Sequence, residues 1–453
     1  MGGLAFASDP DPVFVPRMKP EAYRAMRDRC QDKLRDLFVI VATPIEGPAK
    51  SSFGDIDLFV AWEREFVFPQ SKPVAFSAPA EAPIDAVCRV LGAIRRKNAH
   101  GNVSIAVPWP EDIPYSEVEP KTEPSSDVRM NGLEEEQKDG EDEKAVNDLG
   151  PRCIQVDVHI CESLTYLQWM LFKHAHGDLW NLLGSTIRPF GLTIDEIGLY
   201  VRIPEIEEFN KKEAKILLST DPSEILNFLG LKFGDKEWEE PFASDQEIFE
   251  YAATCRLFWV KTESEGEEGE GGRTEIDRRK LKANDRRRMA FRPLFRKWIE
   301  EFIPACRDAG RFTSTNLTRD IVREQAFECF PGVQSDYDFC LAQWRIKKQC
   351  ETLFKDVIKP AVPSDMGYER RGPCVSALKK IILHGDESFG GIVAPPSLKG
   401  LDGLFEEDAV RVWVENNWEA VLDAALSIQQ KRLAAKMESK GATKRTGSGL
   451  EKP

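Results

Sequence analysis

Three aspartates carry the strongest chemical signal in the chain. Gly54-Asp55-Ile56-Asp57 sets two carboxylates two residues apart. On a strand such residues point the same way, so Asp55 and Asp57 project side by side. Paired carboxylates repel, and each resists ionising unless a cation stands between them. Asp157 lies in RCIQVDVHIC (152–161), which alternates. Ile154, Val156, Val158 and Ile160 share one face; Cys153, Gln155, Asp157, His159 and Cys161 share the other. Magnesium prefers oxygen ligands and is often held by carboxylates together with substrate phosphates. Three carboxylates on adjacent strands would hold two such ions about 3.5–4 Å apart, the arrangement used for in-line phosphoryl transfer. The plainer alternative makes D-I-D a turn into a solvated strand and Asp157 a surface residue, since short motifs match often by chance.

The elements that must position these residues read as follows. Residues 20–37 form a helix, with Ala22, Met26, Cys30 and Leu34 recurring every four residues and Pro20 in the first turn. FVIVAT (38–43) and DIDLFVAW (55–62) are strands, the second opened by SSFG. PIDAVCRVLGAIRR (83–96) is an amphipathic helix, NVSIAVPW (102–109) a third strand and 152–161 a fourth. Helices dominate beyond residue 163, and no strand stands out from about Arg286 to Lys436.

The chain has 453 residues, 42% of them hydrophobic, and a net charge of −14. That charge is concentrated. Glu111 to Asp148 holds fourteen acidic and four basic residues with few large apolar ones, the composition of a disordered insertion between the third and fourth strands. Glu263 to Glu270 holds five more acids. The remainder is near neutral and contains one strongly basic stretch, Arg278 to Lys297. Ten cysteines without a C-x-x-C pair argue against a disulfide scaffold or a zinc knuckle and for a reducing compartment, nucleus or cytoplasm. No apolar run reaches the ~18 residues of a membrane span. The opening MGGLAFASDPDPVF lacks the pattern of a secretory leader, and Phe6 stands where a myristoylation site needs Ser or Thr.

Taken together, these residues resemble the nucleotidyltransferase superfamily typified by DNA polymerase beta. Its members carry Gly-Ser after a first strand, then about 9–13 residues, then Asp-x-Asp, then a third strand-borne Asp. Here Ala42-Thr43 ends the first strand and residues 44–54 intervene before Asp55. The spacing fits, while Ala42 and Thr43 replace the Gly and Ser. KHAHGDLWNLLGSTIRPFGLTIDEIGLYVRI (173–203) is similar to the start of the family X thumb. Gly177, Asn181, Arg188, Gly191-Leu192 and Thr193 to Leu199 match in order, and DPSEILNFLGLKF (221–233) looks like the next thumb element. The resemblance spans about residues 20–240, without the helix-hairpin-helix modules that grip DNA, and does not reach residues 241–453.

The resemblance implies an α+β fold: a palm with a small mixed sheet and flanking helices, a small α+β thumb-like subdomain, then an all-α C-terminal region. The expected division is a disordered 1–16, a palm over 17–163 with its acidic insertion at 111–150, and a thumb over 164–260. A charged linker at 261–285, a helical domain over 286–437 and a disordered tail at 438–453 follow. It implies that Asp55, Asp57 and Asp157 ligate Mg²⁺ or Mn²⁺, with Asp157 also helping to activate the attacking hydroxyl. Thr43 would touch the phosphates of an NTP, and Trp180 and Asn181 would flank its base and sugar. Lys50 is a candidate phosphate partner, against a reading as a solvated loop lysine, and Trp180 has core packing as its rival role. Arg286, Arg287, Arg288, Arg292, Arg296 and Lys297, interleaved with Phe291, Phe295 and Trp298, are candidate contacts to RNA or DNA. A solvated helix face and a nuclear import signal compete with that assignment. Two functions result: a metal-dependent nucleotidyltransferase acting on a hydroxyl acceptor, or a catalytically inactive nucleotide- or nucleic-acid-binding scaffold.

Overall fold

The computed structural model describes residues 3–9, 13–48, 50–67, 82–99, 102–115, 151–261, 283–400 and 402–446. They divide into two units, Met1–Val333 and Gln334–Pro453. The fold is α+β, a five-stranded mixed sheet and a smaller antiparallel sheet preceding a helical C-terminal region.

The larger sheet contains β1 (Phe38–Ala42), β2 (Asp55–Glu63), β3 (Arg95–Ala99), β4 (Asn102–Pro108) and β5 (Cys153–Cys161) in the order β1-β2-β5-β4-β3. β2 and β5 run parallel and every other neighbouring pair is antiparallel. Strict alternation on the central strands sends Ile56, Leu58, Val60, Val103, Ile105, Ile154, Val156 and Val158 to one face. There they meet Ala22, Tyr23, Met26, Cys30 and Leu34 of α1 (Pro20–Leu34) and Ala86, Val87 and Leu91 of α2 (Pro83–Leu91). Burial of these side chains is what fixes register, because a one-residue slip would send all of them to the other face. The opposite face receives the odd-numbered residues of β2 and β5, Asp55, Asp57 and Asp157 among them.

Two sequence expectations change within this sheet. The helix expected over 83–96 stops at Leu91, where Gly92 takes a left-handed φ of 74° and caps it. Residues 95–99 then pair with β4 as a hairpin, so the RRK run is an edge strand and not a last helical turn. Charged residues suit such an edge because they discourage pairing with other chains. The second change is at the start of the chain, expected to be disordered over 1–16. Phe6 and Val13 are buried on Ala106 and Cys153, Phe14 bridges to Arg152, and Met18 pairs with Phe53. β4 and β5 are antiparallel neighbours, so the acidic insertion does lie in a hairpin connection; residues 116–150 themselves fall outside the described residues.

After β5 come α3 (Leu164–His174) and α4 (Leu179–Ile187), then the antiparallel sheet β6 (Leu192–Ile194), β7 (Leu199–Arg202) and β8 (Lys215–Ser219). Asp195 makes the β6–β7 turn: its Oδ1 accepts from the Ile197 amide at 2.9 Å, and its own amide donates to the Gly198 carbonyl at 3.1 Å. α5 (Pro222–Leu229) is capped by Asp221 and closed by Gly230 at φ 71°. α6 (Asp245–Ala253) and α7 (Ala283–Phe291) follow, and Phe249 of α6 joins an aromatic cluster with Phe258, Trp298 and Phe302. Trp298 is fully buried in it.

This cluster moves the expected domain boundary. Residues 283–333, read from sequence as the start of a separate helical domain at 286, belong to the first unit. The second unit has its own core, built from the end of α8 (Val333–Leu353), α9 (Tyr368–His384) and α10 (Glu407–Thr446) around Leu353, Val357, Leu378, Ile381, Val410 and Val414. α10 continues to Thr446, past residue 438 where a disordered tail was expected to begin. Among the described residues no helix is long and apolar enough to cross a membrane.

Candidate active site

Parallel pairing of β2 with β5 aligns Asp57 with Asp157 and Asp55 with Gln155. The three aspartates therefore occupy one face of two adjacent strands, where Asp157 acts on Asp55, and both act on Asp57. Burial, then repulsion from Asp157, raises the Asp55 carboxyl to about 6. Burial, followed by Asp55, Asp157 and Glu46, raises Asp57 to about 7. Asp157 is also raised by burial, tempered by the Ser104 and Gln155 side chains. Such a face resists full ionisation at neutral pH unless a cation compensates it. Its all-carboxylate chemistry fits a hard divalent ion. As placed, though, no three His, Cys, Asp or Glu side chains among the described residues converge as a ready metal-ligand set. The Asp157 carboxylate is held by Gln155, whose Nε2 lies 3.1 and 3.0 Å from its two oxygens.

The same sheet face is apolar further along. Phe59 stacks on His159 with ring centroids 4.5 Å apart, and His174 of α3 closes over both. Burial lowers both histidines to about 4, so they are neutral at physiological pH. His159 is a packing residue here, two positions beyond Asp157.

The β1–β2 connection, residues 43–54, lies beside the carboxylates. Lys50 pairs with Glu46 at 2.6 Å, and Glu46 also accepts a hydrogen bond from the Tyr23 hydroxyl. Tyr23 stacks on Phe53 at 3.9 Å, and the Lys50 ammonium stands 5.3 Å from the Phe53 ring centroid. The Lys50 charge is felt at both Asp55 and Asp57. The connection is pinned to the segment before α4: the His176 amide donates to the Ile45 carbonyl at 2.7 Å. A side chain on Gly177 (φ 63°) would meet Gly47 at 3.5 Å. Thr43 accepts a 3.4 Å hydrogen bond from Gln31 and lines a cleft of about 400 Å³ with Phe172, Leu226, Phe233 and Trp238.

Sequence reading missed the cover on this face. Gly3 sits so close to Gly54 that an added Cβ would lie 2.6 Å from its carbonyl oxygen. The Ala5 amide donates to Gln155 Oε1 at 3.0 Å. Lys97 of β3 fastens the segment by donating to the Ala5 carbonyl and pairing with Asp9 at 2.5 Å. The available signal was Phe6 and Val13, apolar residues in a stretch otherwise rich in small residues, Asp and Pro.

The remaining candidates separate. Trp180 is core, 5% exposed, its indole N–H donating to the Phe172 carbonyl at 3.0 Å and its ring against Phe172 and Trp238. Asn181 lies on the first turn of α4, where its Nδ2 donates to Asp178 at 3.1 Å and its Oδ1 accepts from Arg288 at 3.1 Å. The basic stretch is largely committed internally. Arg288 pairs with Asp285, Arg292 with Asp178, and Lys297 with Asp245. Arg296 is half-buried and Arg286 and Arg287 are exposed. The Arg278–Lys282 part of the run lies outside the described residues.

No family model matches the chain, and no curated protein matches it. Among solved structures it is similar to the polymerase beta of Leishmania infantum in a ternary P/T complex. That match has 10% identity and a TM-score of 0.28, covering 50% of this chain and 77% of the other.

Proposed function

We propose that the chain is a divalent-metal-dependent nucleotidyltransferase that moves a nucleoside monophosphate from an NTP to a hydroxyl, with a nucleic-acid 3′ end as the acceptor class. One observation carries this reading: Asp55, Asp57 and Asp157 share a face of two parallel strands in register, all three carboxyls raised by burial and those of Asp55 and Asp57 also by neighbouring carboxylates. A scaffold without catalysis gains nothing from keeping repelling carboxylates together.

Asp55, Asp57 and Asp157 would hold Mg²⁺ or Mn²⁺, which supplies charge neutralisation to the triphosphate when bound. In the reaction the acceptor oxygen bonds to the α-phosphorus and the bond to the β-phosphate oxygen breaks. Pyrophosphate leaves, and the hydroxyl proton passes to Asp157. Positioning and electrostatics do most of this work. Lys50, now on Glu46, exchanges that partner for a phosphate, and Thr43 offers its hydroxyl to the triphosphate.

Incubation with α-labelled NTPs, Mn²⁺ or Mg²⁺ and a pool of RNA and DNA oligonucleotides tests the reading. Label should transfer to oligonucleotide with the wild type and not with Asp57→Asn. Nucleotide binding without transfer by the wild type would favour the inactive-scaffold alternative.

A further inference from the structure

Gln155 lies on the same strand face as Asp157, two residues earlier, and is 4% exposed. It is fixed at both ends. Its Oε1 accepts from the Ala5 amide at 3.0 Å, and its Nε2 straddles the two Asp157 oxygens at 3.1 and 3.0 Å. The Ala5 end is itself anchored, because Lys97 holds the Ala5 carbonyl and Asp9 and stands 5.5 Å from the Phe6 ring centroid. A continuous chain of polar contacts thus runs from β3 through the N-terminal segment to the carboxylate.

We propose that Gln155 is a positioning residue for Asp157, setting the rotation of its carboxylate through an amide clamped by the N-terminal segment. The inference rests on the metal-site reading above. An ionised carboxylate has about four lone-pair sites, so two hydrogen bonds from one nitrogen leave acceptor capacity on both oxygens. Carboxylates that ligate metals are commonly held by such outer partners, and losing one typically weakens metal affinity about 10–100-fold. The tethering amide is neutral, so it orients Asp157 without cancelling the charge that a cation would meet. A purely structural glutamine would fill a buried polar slot and contribute to stability alone.

The test is Mn²⁺ binding to the full chain at pH 8, followed by electron paramagnetic resonance, with thermal unfolding measured alongside. Gln155→Met keeps volume and removes the donor; affinity should fall about tenfold or more. Gln155→Ala leaves room for water to replace the amide, and its loss should be smaller. A folded Gln155→Met within twofold of the wild type overturns the proposal, even if its unfolding temperature drops. If Gln155→Met does not fold, Gln155→Ala within twofold of the wild type overturns it equally. Failure of the wild type itself to bind Mn²⁺ overturns the metal-site reading, and this inference with it. The two failures are distinguishable, because failure of the positioning role alone leaves wild-type binding intact.

Discussion

At the scale of single residues, Asp57 carries the heaviest electrostatic load. Its carboxyl is raised to about 7 in the folded chain, against about 3.9 for an unfolded aspartate. Between those values the folded state holds more protons than the unfolded state. Metal-free stability from this group is therefore fully present below about pH 4 and is lost as pH rises toward 7. Asp57→Asn removes a repelling charge and should raise metal-free stability at pH 8 by about 1–2 kcal/mol. Urea unfolding in EDTA at pH 5 and pH 8 measures this; a gain as large at pH 5 as at pH 8 would contradict the cause assigned to it. Divalent metal should stabilise the wild type more at pH 8 than at pH 5, since proton and cation compete for the same carboxylates. Lys50 makes a different prediction. It borders the carboxylates without belonging to them, so Lys50→Ala should raise the KM for NTP about tenfold with a smaller change in kcat. An unchanged KM would leave Lys50 as the partner of Glu46 only.

At the scale of elements, the site depends on register. β2 and β5 are held by Ile56, Leu58, Val156 and Val158 on the buried face, and that burial is what turns the aspartates outward together. This much was legible in the sequence, because period-two alternation states both faces of a strand at once. The parallel pairing was less so: strands separated by some ninety residues carry no local mark of which neighbour they take. The β3 edge was missed because RRKNA has no apolar alternation and borrows its pairing from β4. The buried N-terminal segment was missed for a related reason, since Phe6 and Val13 find their partners, Ala106 and Cys153, about 90 to 150 residues away. The second sheet was legible only through the resemblance carried by Gly191 to Leu199, and not from turn chemistry. Gly198 sits where a Cβ would lie 2.5 Å from the Ser219 carbonyl oxygen and 2.7 Å from Leu217. Gly198→Ala should cost about 2 kcal/mol of stability by overpacking, measured by urea unfolding, with Mn²⁺ affinity unchanged because the carboxylates lie on a different sheet.

At the scale of the whole molecule, a net charge of −14 first reads as a chain that avoids nucleic acid. Most of that charge falls in two segments, and the arginines that remain are not equivalent. Arg288 donates to Asn181 of α4 and Arg292, just past α7, pairs with Asp178 just before α4, so replacing either should weaken the packing of this segment on α4. Arg286 and Arg287 are exposed on the same helix. The double variant Arg286→Ala, Arg287→Ala should weaken binding of single-stranded RNA or DNA and flatten its salt dependence, by about 0.7 in the log–log slope for each phosphate that is no longer neutralised. An unchanged slope would place the acceptor elsewhere. The proposed transfer chemistry and the metal-dependent expectations rest on the carboxylate face being a metal site. Diffraction from crystals grown with Mn²⁺ and a non-hydrolysable NTP tests that most directly, through the anomalous signal of manganese. Manganese should lie bounded by Asp55, Asp57 and Asp157 with the triphosphate beside it; manganese absent from that face, or bound only elsewhere, would contradict the metal-site reading.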